Sequence, residues 1–192
     1  MIHCACGMKP TMKQREKVVP QAVGKVLEIG IGSGLNLSFY DKNKVDHLVG
    51  IDPSKETWEI NKDKRRDIKV DYIQAGAEAL PLEANAFDTI VMTYTLCTIP
   101  QAEEALLEMR RVLKPNGQLL FCEHGESPDT QVRKWQNRIN PFWKKIGGGC
   151  NLNKNIPALL QQNGFVLADL KTMYIPGPKF LSFNYWGTAM IR

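Results

Sequence analysis

The sequence lacks any apolar run close to the roughly 20 residues that a membrane-spanning helix needs. Its first six residues also lack the charged region and following apolar stretch that mark a secretory signal. These two absences favour a protein that folds in the cytoplasm, and we expect that location.

The 192 residues contain few cysteines, and their number, five, is odd. Cys97 and Cys122 lie inside apolar segments, so we expect reduced, buried thiols rather than a disulfide framework. Cys4 and Cys6 stand beside His3, but no second pair follows at the spacing of the usual zinc motifs. The cysteine pattern therefore predicts no metal site.

The excess of positive charge is small, because 25 Lys and Arg residues face 20 Asp and Glu residues for a net charge of +5. That excess is too weak for a nucleic-acid-binding surface, so we expect no nucleic-acid partner. A hydrophobic content of 43% and a charged content of 23% are typical of one globular domain with one core. We expect a single domain over residues 1–192, as a monomer or homodimer.

Apolar runs alternate with helical patterns along the chain, which predicts an α/β fold with a parallel sheet between helices. The predicted parallel strands are Val26–Ile29, His47–Ile51, Val70–Gln74, Thr89–Tyr94 and Gln118–Cys122. The predicted helices are residues 10–20, a first crossover helix opening at Leu35–Tyr40, Ala102–Leu113 before a stop at Lys114–Gly117, and Ile156–Asn163 before Gly164. Phe165–Met173 and Ser182–Ile191 complete a Rossmann-like, seven-stranded, mostly parallel sheet as a C-terminal antiparallel β-hairpin.

Gly30, Gly32 and Gly34 follow the first predicted strand, where glycines let the backbone turn tightly against a ligand. An ordinary glycine-rich turn and a nicotinamide dinucleotide site are the alternatives. The third glycine comes one residue early for the dinucleotide motif, which would place it at Leu35. Glu28, before the turn, suits a cationic ligand such as the amino group and sulfonium of S-adenosylmethionine.

Asp52 ends the second predicted strand, 20 residues beyond Gly32, where it can accept hydrogen bonds from both hydroxyls of a ribose. It could also cap the following helix, and both roles can hold at once. Residues 76–78 follow the third predicted strand, and Thr93–Tyr94 lie at the end of the fourth. We expect them to complete the walls of the cofactor site around the adenine and the methionine moiety. The backbone N–H of Ala77 can face the adenine, whereas Glu78 can equally be a solvated helix-start residue.

Val26-Leu-Glu-Ile-Gly-Ile-Gly-Ser-Gly-Leu-Asn-Leu37 resembles motif I of class I S-adenosylmethionine-dependent methyltransferases, and Gly50–Ser54 resembles motif II. Ala77–Pro81, Phe87–Val91 and Arg110–Gly117 resemble the ubiquinone/menaquinone branch. The resemblance implies S-adenosylmethionine as cofactor, bound by Glu28, Gly30, Ile31, Gly32, Gly34, Asn36, Asp52, Pro53, Ala77, Glu78, Thr93 and Tyr94. Gly76 departs from related enzymes, which often have an acidic or hydroxyl residue there.

The implied segments are an N-terminal helical cap (1–22), a cofactor-binding half (26–122), an acceptor or lid insertion (123–155) and a terminal helix with hairpin (156–192).

Three later segments, residues 123–125, 135–143 and 147–152, resemble a methyltransferase-like group that includes membrane-associated thiol S-methyltransferases of animals. The N-terminal anchor of those proteins is missing, which implies a soluble, bacterial-type relative. The implied acceptor is a small molecule, an alkyl thiol or other apolar heteroatom compound, with quinones or lipid head groups as the alternative. A non-catalytic adenosyl-binding subunit and a nucleotide-dependent oxidoreductase are the alternatives from other classes.

Glu123 and His124 directly follow the fifth predicted strand and are the catalytic candidates. Histidine is the natural base near neutral pH, although a local hydrogen bond would explain His124 equally well. Cys150 is placed to line the acceptor pocket. A packed thiol explains it better than a nucleophile, because methyl transfer needs no covalent enzyme intermediate.

Apolar residues recur at near-helical spacing over 132–146, with five basic residues among them. The favoured interpretation is a helix packed on the sheet with a basic outer face. The alternative is a mobile lid over an apolar acceptor that can touch anionic membranes.

Overall fold

The computed structural model describes residues 6–60 and 68–192. Its strands are β1 (Gly24–Ile29), β2 (Val45–Ile51), β3 (Val70–Ile73), β4 (Phe87–Thr93), β5 (Leu113–His124), β6 (Phe165–Tyr174) and β7 (Phe183–Ile191). Its helices are α1 (Lys9–Val18), α2 (Lys55–Glu59), α3 (Ala102–Val112), α4 (Thr130–Ile146), α5 (Ile156–Gln162) and α6 (Lys179–Ser182). The predictions for His3, Cys4 and the start of the helical cap lie outside the described residues.

The strands form one sheet in the order β3-β2-β1-β4-β5-β7-β6. Neighbours from β3 to β5 run parallel, whereas β7 runs antiparallel to both β5 and β6. The predicted fold is confirmed. Since parallel strands end at one edge, the segments that follow β1, β2, β3, β4 and β5 meet there and can build a shared site.

Alternating side chains of β1 reach opposite faces of the sheet. Leu27 and Ile29 join a core that contains the apolar stripe of α3. Val26 joins a second core with Val18 at the end of α1. Glu28 shares the face of Val26, so its carboxylate is directed toward the N-terminal helix.

The predicted crossover helix at Leu35–Tyr40 is wrong, because only a short 3₁₀ helix, Leu37–Phe39, forms there. The side chains of Asn36 and Tyr40 turn inward to the buried carboxylate of Glu28 at 3.0 and 2.7 Å. These contacts with β1 hold the segment in a compact turn.

The helix ends before Lys114–Gly117 as predicted, but these residues belong to β5, which was predicted to begin only at Gln118. β5 begins directly at Leu113, and its register against β4 jumps from Phe87 opposite Leu113 to Thr89 opposite Gln118. The intervening residues form a bulge, where a proline without an N–H is tolerated. An ion pair of 2.6 Å between Lys114 Nζ and Asp88 Oδ1 ties the bulge to β4.

Residues 132–146 lie in a helix, as predicted. The favoured interpretation that the apolar side of this helix packs on the sheet is wrong for three of its large apolar residues. Trp135, Phe142 and Ile146 are 57%, 66% and 44% exposed, and Gln136 is the buried residue of α4. Gln136 accepts a hydrogen bond from the N–H of Ser127 and donates one to the carbonyl of Gly125. Polar contacts to the segment after β5 therefore fix this helix.

Within residues 6–60 and 68–192, none of the helices combines the length and apolarity needed to cross a bilayer.

Candidate active site

A cavity of about 420 Å³ opens at the carboxyl edge of the parallel strands, and we call it the cofactor cavity. The structure brings together on its wall the predicted cofactor residues Gly30, Ile31, Gly32, Asp52, Pro53, Ala77, Glu78, Thr93 and Tyr94. The other predicted cofactor residues, Glu28, Gly34 and Asn36, do not line it, and Glu28 and Asn36 are buried. The glycine turn and the ends of β2, β3 and β4 thus contribute to one site, as the fold requires.

The glycine turn brings backbone to the cavity surface. Gly30 and Gly32 have φ angles of +67° and +50°, a region that glycine adopts without strain. A Cβ atom on Gly30 would lie 2.4 Å from the Cγ2 of Thr95. The turn therefore needs glycine at this position both for its backbone angle and for its packing against the segment after β4.

Asp52 supports this turn and faces the cavity. Its Oδ2 accepts a hydrogen bond from the N–H of Gly32 at 3.0 Å, and its Oδ1 accepts one from the N–H of Ser54 at 2.9 Å. Ser54, rather than Asp52, is the N-cap of α2, because its hydroxyl accepts from the N–H of Thr57. A carboxylate has about four acceptor sites, so Asp52 retains capacity for two ribose hydroxyls.

Glu28 lies in a buried polar network behind the cavity and is only 2% exposed. Its two oxygens accept hydrogen bonds from Asn36 Nδ2 and from the hydroxyl of Tyr40. Burial raises the pKa of Glu28 to about 7, against the opposing effects of Tyr40 and of the positive charge of Arg15. Direct contact between Glu28 and a cofactor stays a prediction, whereas its contacts within the protein position Asn36.

Glu28→Gln is expected to remove a pH dependence of stability. Across the interval between the ordinary pKa of 4.5 and the raised value of about 7, folded Glu28 keeps a proton that the unfolded chain releases. The wild type therefore loses stability from this group as pH rises through the interval. Glutamine has no proton to lose. As the pH increases from about 5 to about 7, the free energy of unfolding of the variant should therefore rise by about 2 kcal/mol relative to that of the wild type.

Urea unfolding of both proteins at several pH values measures this difference. Glu104→Gln, at an exposed position on α3, is the matched control and should track the wild type. If the free energy of unfolding depended on pH in the same way in the wild type and in Glu28→Gln, the pKa of Glu28 would be the same in the folded and unfolded states, which contradicts the prediction.

Arg15 on α1 lines the cofactor cavity, and sequence reasoning did not include it among the candidate cofactor residues. Arg15 is 5% exposed, and its Nη1 donates to Asn36 Oδ1 at 2.9 Å and to Thr93 Oγ1 at 2.5 Å. The side chain lines the cofactor cavity, and its buried Nε has no hydrogen-bond partner among the described residues. A buried, charged donor at a cavity wall is suited to an anionic part of a ligand.

A second cavity of about 230 Å³ adjoins the first, and we call it the apolar cavity. Cys6, Tyr94 and Thr98 line both cavities. The rest of its wall is mainly apolar and includes Met8, Trp143, Ile146, Leu152, Ile175, Pro176, Pro178 and Leu181. An apolar molecule held there would lie next to whatever fills the cofactor cavity.

Cys97, His124 and Cys150 form a cluster on the wall of the apolar cavity. The Nε2 of His124 lies 3.0 Å from the Sγ of Cys150, and the three ligand atoms all lie within 4.8 Å of one another. A hydrogen bond from Cys97 lowers the pKa of Cys150, burial opposes this, and His124 lowers it further. Burial lowers the pKa of His124, but the hydrogen bond and charge of Cys150 outweigh it and the net shift is upward. The cluster therefore favours a Cys150 thiolate beside a protonated His124.

Glu123 lines neither cavity and is fully buried. Its Oε1 accepts hydrogen bonds from the N–H groups of Thr95 and Leu96 at 2.7 and 3.0 Å, and its Oε2 accepts a longer one from Cys97. Burial raises the pKa of Glu123, against the effect of these N–H groups. The predicted catalytic role of Glu123 is untested. This geometry favours a positioning role, in which Glu123 fixes the segment that carries Cys97.

Residues 147–152 lie between the two cavities. Gly148 lines the cofactor cavity and Cys150 lines the apolar cavity. Asn151 binds the carbonyl of Cys97 through both its backbone N–H and its Nδ2, at 2.9 and 3.0 Å. Lys154 Nζ donates to the carbonyls of residues 96 and 99. The segment therefore forms part of the wall of both cavities and is held to the residues after β4 by these hydrogen bonds.

A parallel sheet with a glycine turn after β1 and an acid at the end of β2 defines a class of domains that bind an adenosyl cofactor. The family described as "Methyltransferase domain" matches residues 27–121 of this chain. Residues 27–121 therefore belong to the S-adenosylmethionine-dependent methyltransferase family, which implies S-adenosylmethionine as the methyl donor.

The sequence is 33% identical over 134 residues to thiol S-methyltransferase TMT1B of Rattus norvegicus, covering 67% of this chain and 54% of that protein. It is 33% identical over 134 residues to the ubiquinone/menaquinone biosynthesis C-methyltransferase UbiE of Haemophilus ducreyi, covering 65% of this chain and 51% of that protein. The solved structure of a SAM-dependent methyltransferase from Thermotoga maritima matches with a TM-score of 0.68 at 19% identity. That match covers 100% of this chain and 91% of the other, and shows the fold alone. The chain spans 54%, 64% and 66% of the first curated relatives it matches.

Proposed function

We propose that this chain transfers the methyl group of S-adenosylmethionine to the sulfur of a small apolar thiol. The observation that carries the proposal is the apolar cavity, which meets the cofactor cavity at Tyr94 and Thr98 and presents His124 and Cys150 on its wall. The similarity to the rat thiol S-methyltransferase supports the same acceptor class.

The chemistry requires alignment and the removal of one proton. The acceptor sulfur forms a bond to the methyl carbon as the bond from that carbon to the cofactor sulfonium breaks, giving a thioether and S-adenosylhomocysteine. The thiol proton passes to the cluster, where the Cys150 thiolate beside protonated His124 accepts it. The apolar wall excludes water, which favours direct approach of the acceptor sulfur to the methyl carbon.

A panel of acceptors with isotopically labelled methyl donor tests this proposal. Alkyl thiols that fit a cavity of about 230 Å³ should be methylated. Phenols, amines and alcohols of equal size should react more slowly, because thiols lose their proton more readily near neutral pH. Turnover of a demethylated quinol in place of thiols would favour the second relative's chemistry, and conversion of no acceptor would favour a non-catalytic adenosyl-binding subunit.

Arg15 is expected to bind the carboxylate of the methionine moiety. Arg15→Met should weaken binding of S-adenosylmethionine by about 10- to 100-fold, because a hydrogen bond to a charged group contributes about 1.5–3 kcal/mol. Calorimetric titration with S-adenosylmethionine and with its decarboxylated analogue separates this contact from general damage. The wild type should prefer the intact cofactor and the variant should not, whereas an equal preference in both proteins would exclude the contact.

We also propose that α4 contacts an anionic membrane surface. Trp135 and Phe142 are exposed beside basic side chains, and the guanidinium of Arg138 lies 5.9 Å from the ring of Trp135. Aromatic rings inserted at the lipid boundary with basic residues above them are typical of interfacial helices. A non-polar acceptor would reach the apolar cavity beneath α4 directly from such a surface.

Sedimentation with phosphatidylglycerol vesicles measures this contact. Trp135→Ser with Phe142→Ser should weaken vesicle binding at least about tenfold, since burial of each ring contributes about 1.5–3 kcal/mol. Leu107→Ser, at a residue 52% exposed on α3, is the matched control. Binding that survives the double substitution would place the contact elsewhere.

A further inference from the structure

The cluster of Cys97, His124 and Cys150 has the composition of a metal site as well as that of a proton-transfer site. The three residues come from separate parts of the fold: the segment after β4, the end of β5 and the segment after α4. Cys97 and Cys150 are 2% and 7% exposed, and all three residues line the apolar cavity. Two sulfurs and one imidazole nitrogen thus converge at one point of its wall.

The spacing of the ligand atoms fits a tetrahedral zinc ion. Bond lengths of about 2.3 Å to sulfur and 2.0–2.1 Å to nitrogen place tetrahedral ligand atoms roughly 3.6–3.8 Å apart. The three atoms lie within 4.8 Å of one another, and His124 Nε2 lies 3.0 Å from Cys150 Sγ. Side-chain adjustments of less than about 1 Å would give the coordination distances.

The surrounding contacts hold the ligands in place. Glu123 accepts hydrogen bonds from the backbone around Cys97, and Asn151 holds the carbonyl of Cys97 from the other side. Hydrogen bonds outside the ligand set are a regular feature of protein metal sites, because they fix the orientation of the ligands.

We propose that Cys97, His124 and Cys150 bind a soft divalent cation, with Zn²⁺ as the reference ion, and leave its fourth position open toward the apolar cavity. Two thiolates and one imidazole with an open position are a ligand set that catalytic zinc sites use. Soft sulfur ligands also select Zn²⁺ over Mg²⁺ or Ca²⁺.

The consequence for methyl transfer rests on the function proposed above. A thiol acceptor that takes the fourth position releases its proton to solvent as it binds, because a coordinated thiol is deprotonated. His124 is then a ligand, and the cation replaces it in activating the thiol. The product thioether has no charge to offer the cation, so methylation weakens its coordination and favours release.

Zinc binding to the reduced protein tests the site independently of methyl transfer. After removal of metal by a chelator, competition with a chromogenic zinc indicator should give one bound Zn²⁺ per chain at submicromolar affinity. Cys97→Ser and Cys150→Ser should each weaken this affinity at least 100-fold. Cys122→Ala removes a buried thiol outside both cavities and should leave the affinity unchanged.

Cobalt substitution of the wild type gives a second measurement that no loss of folding in a variant can imitate. Co²⁺ bound by two thiolates should show near-ultraviolet charge-transfer bands and visible bands of tetrahedral coordination. Absence of zinc binding, full affinity in Cys150→Ser, or a cobalt spectrum without thiolate bands would overturn the proposal. Thiol methylation at an unchanged rate by the metal-free protein would overturn the catalytic role of the cation while leaving the proposed methyl transfer intact.

Discussion

Asp52→Ala is expected to weaken binding of S-adenosylmethionine about 100-fold or more, since hydrogen bonds to a charged group contribute about 1.5–3 kcal/mol each. The variant loses the acceptor for two ribose hydroxyls. It also loses the acceptor for the N–H of Gly32, which Asp52 Oδ2 holds at 3.0 Å in the glycine turn. Isothermal titration with S-adenosylmethionine and S-adenosylhomocysteine measures the loss, which should be similar for both because they share the ribose.

The matched control is Asp46→Ala, which removes an exposed carboxylate from the same strand, β2. Its cofactor affinity should equal that of the wild type. Asp52→Asn keeps one acceptor for Gly32 and should show an intermediate affinity, with a melting temperature close to the wild type. An Asp52→Ala protein that binds the cofactor normally would remove Asp52 from the cofactor site.

His124→Gln is expected to lower kcat for thiol methylation by about 10²- to 10⁴-fold, the range for loss of a positioned acid or base. The KM for S-adenosylmethionine should change little, because His124 lines the apolar cavity and not the cofactor cavity. The expectation holds whether His124 stabilises the Cys150 thiolate that accepts the thiol proton or ligates a cation that activates the thiol. Steady-state kinetics with each substrate varied in turn separates the two parameters.

His47→Gln is the control for this experiment. His47 is exposed on β2, where its Nε2 lies 2.8 Å from Asp71 Oδ2, and it lines neither cavity. Its kinetics should match the wild type. A His124→Gln protein with unchanged kcat would assign His124 to local packing with Cys150 alone.

The cofactor half was predictable because its determinants are local in sequence. The glycines at 30 and 32 and the acid at 52 follow strands that their apolar residues reveal, and parallel strands bring such segments to one edge. The path of residues 35–40 was not predictable from helix propensity. It depends on contacts of Asn36 and Tyr40 with a carboxylate in another element.

The acceptor half was less predictable because its contacts are distant in sequence. Arg15 lies among lysines, a glutamine and a glutamate that suggest a solvated helix surface, and only packing against Thr93 shows that it is buried. Cys97 and His124 are separated by a whole helix and strand, so no spacing rule joins them. The helical period of the apolar residues correctly predicted the helix α4. Periodicity does not show whether the apolar side of a helix faces the rest of the protein or an outside partner.

The walls of the two cavities come from different stretches of the chain, which meet because β7 pairs with β5. Every wall residue of the cofactor cavity lies between residues 6 and 148, whereas the apolar cavity needs residues from 175 to 184. Tyr94, which both cavities share, donates through its hydroxyl to Asn184 Oδ1 at 2.7 Å. Tyr94 therefore links the cofactor cavity, whose wall precedes β6 in the chain, to the apolar cavity, whose wall also needs the start of β7.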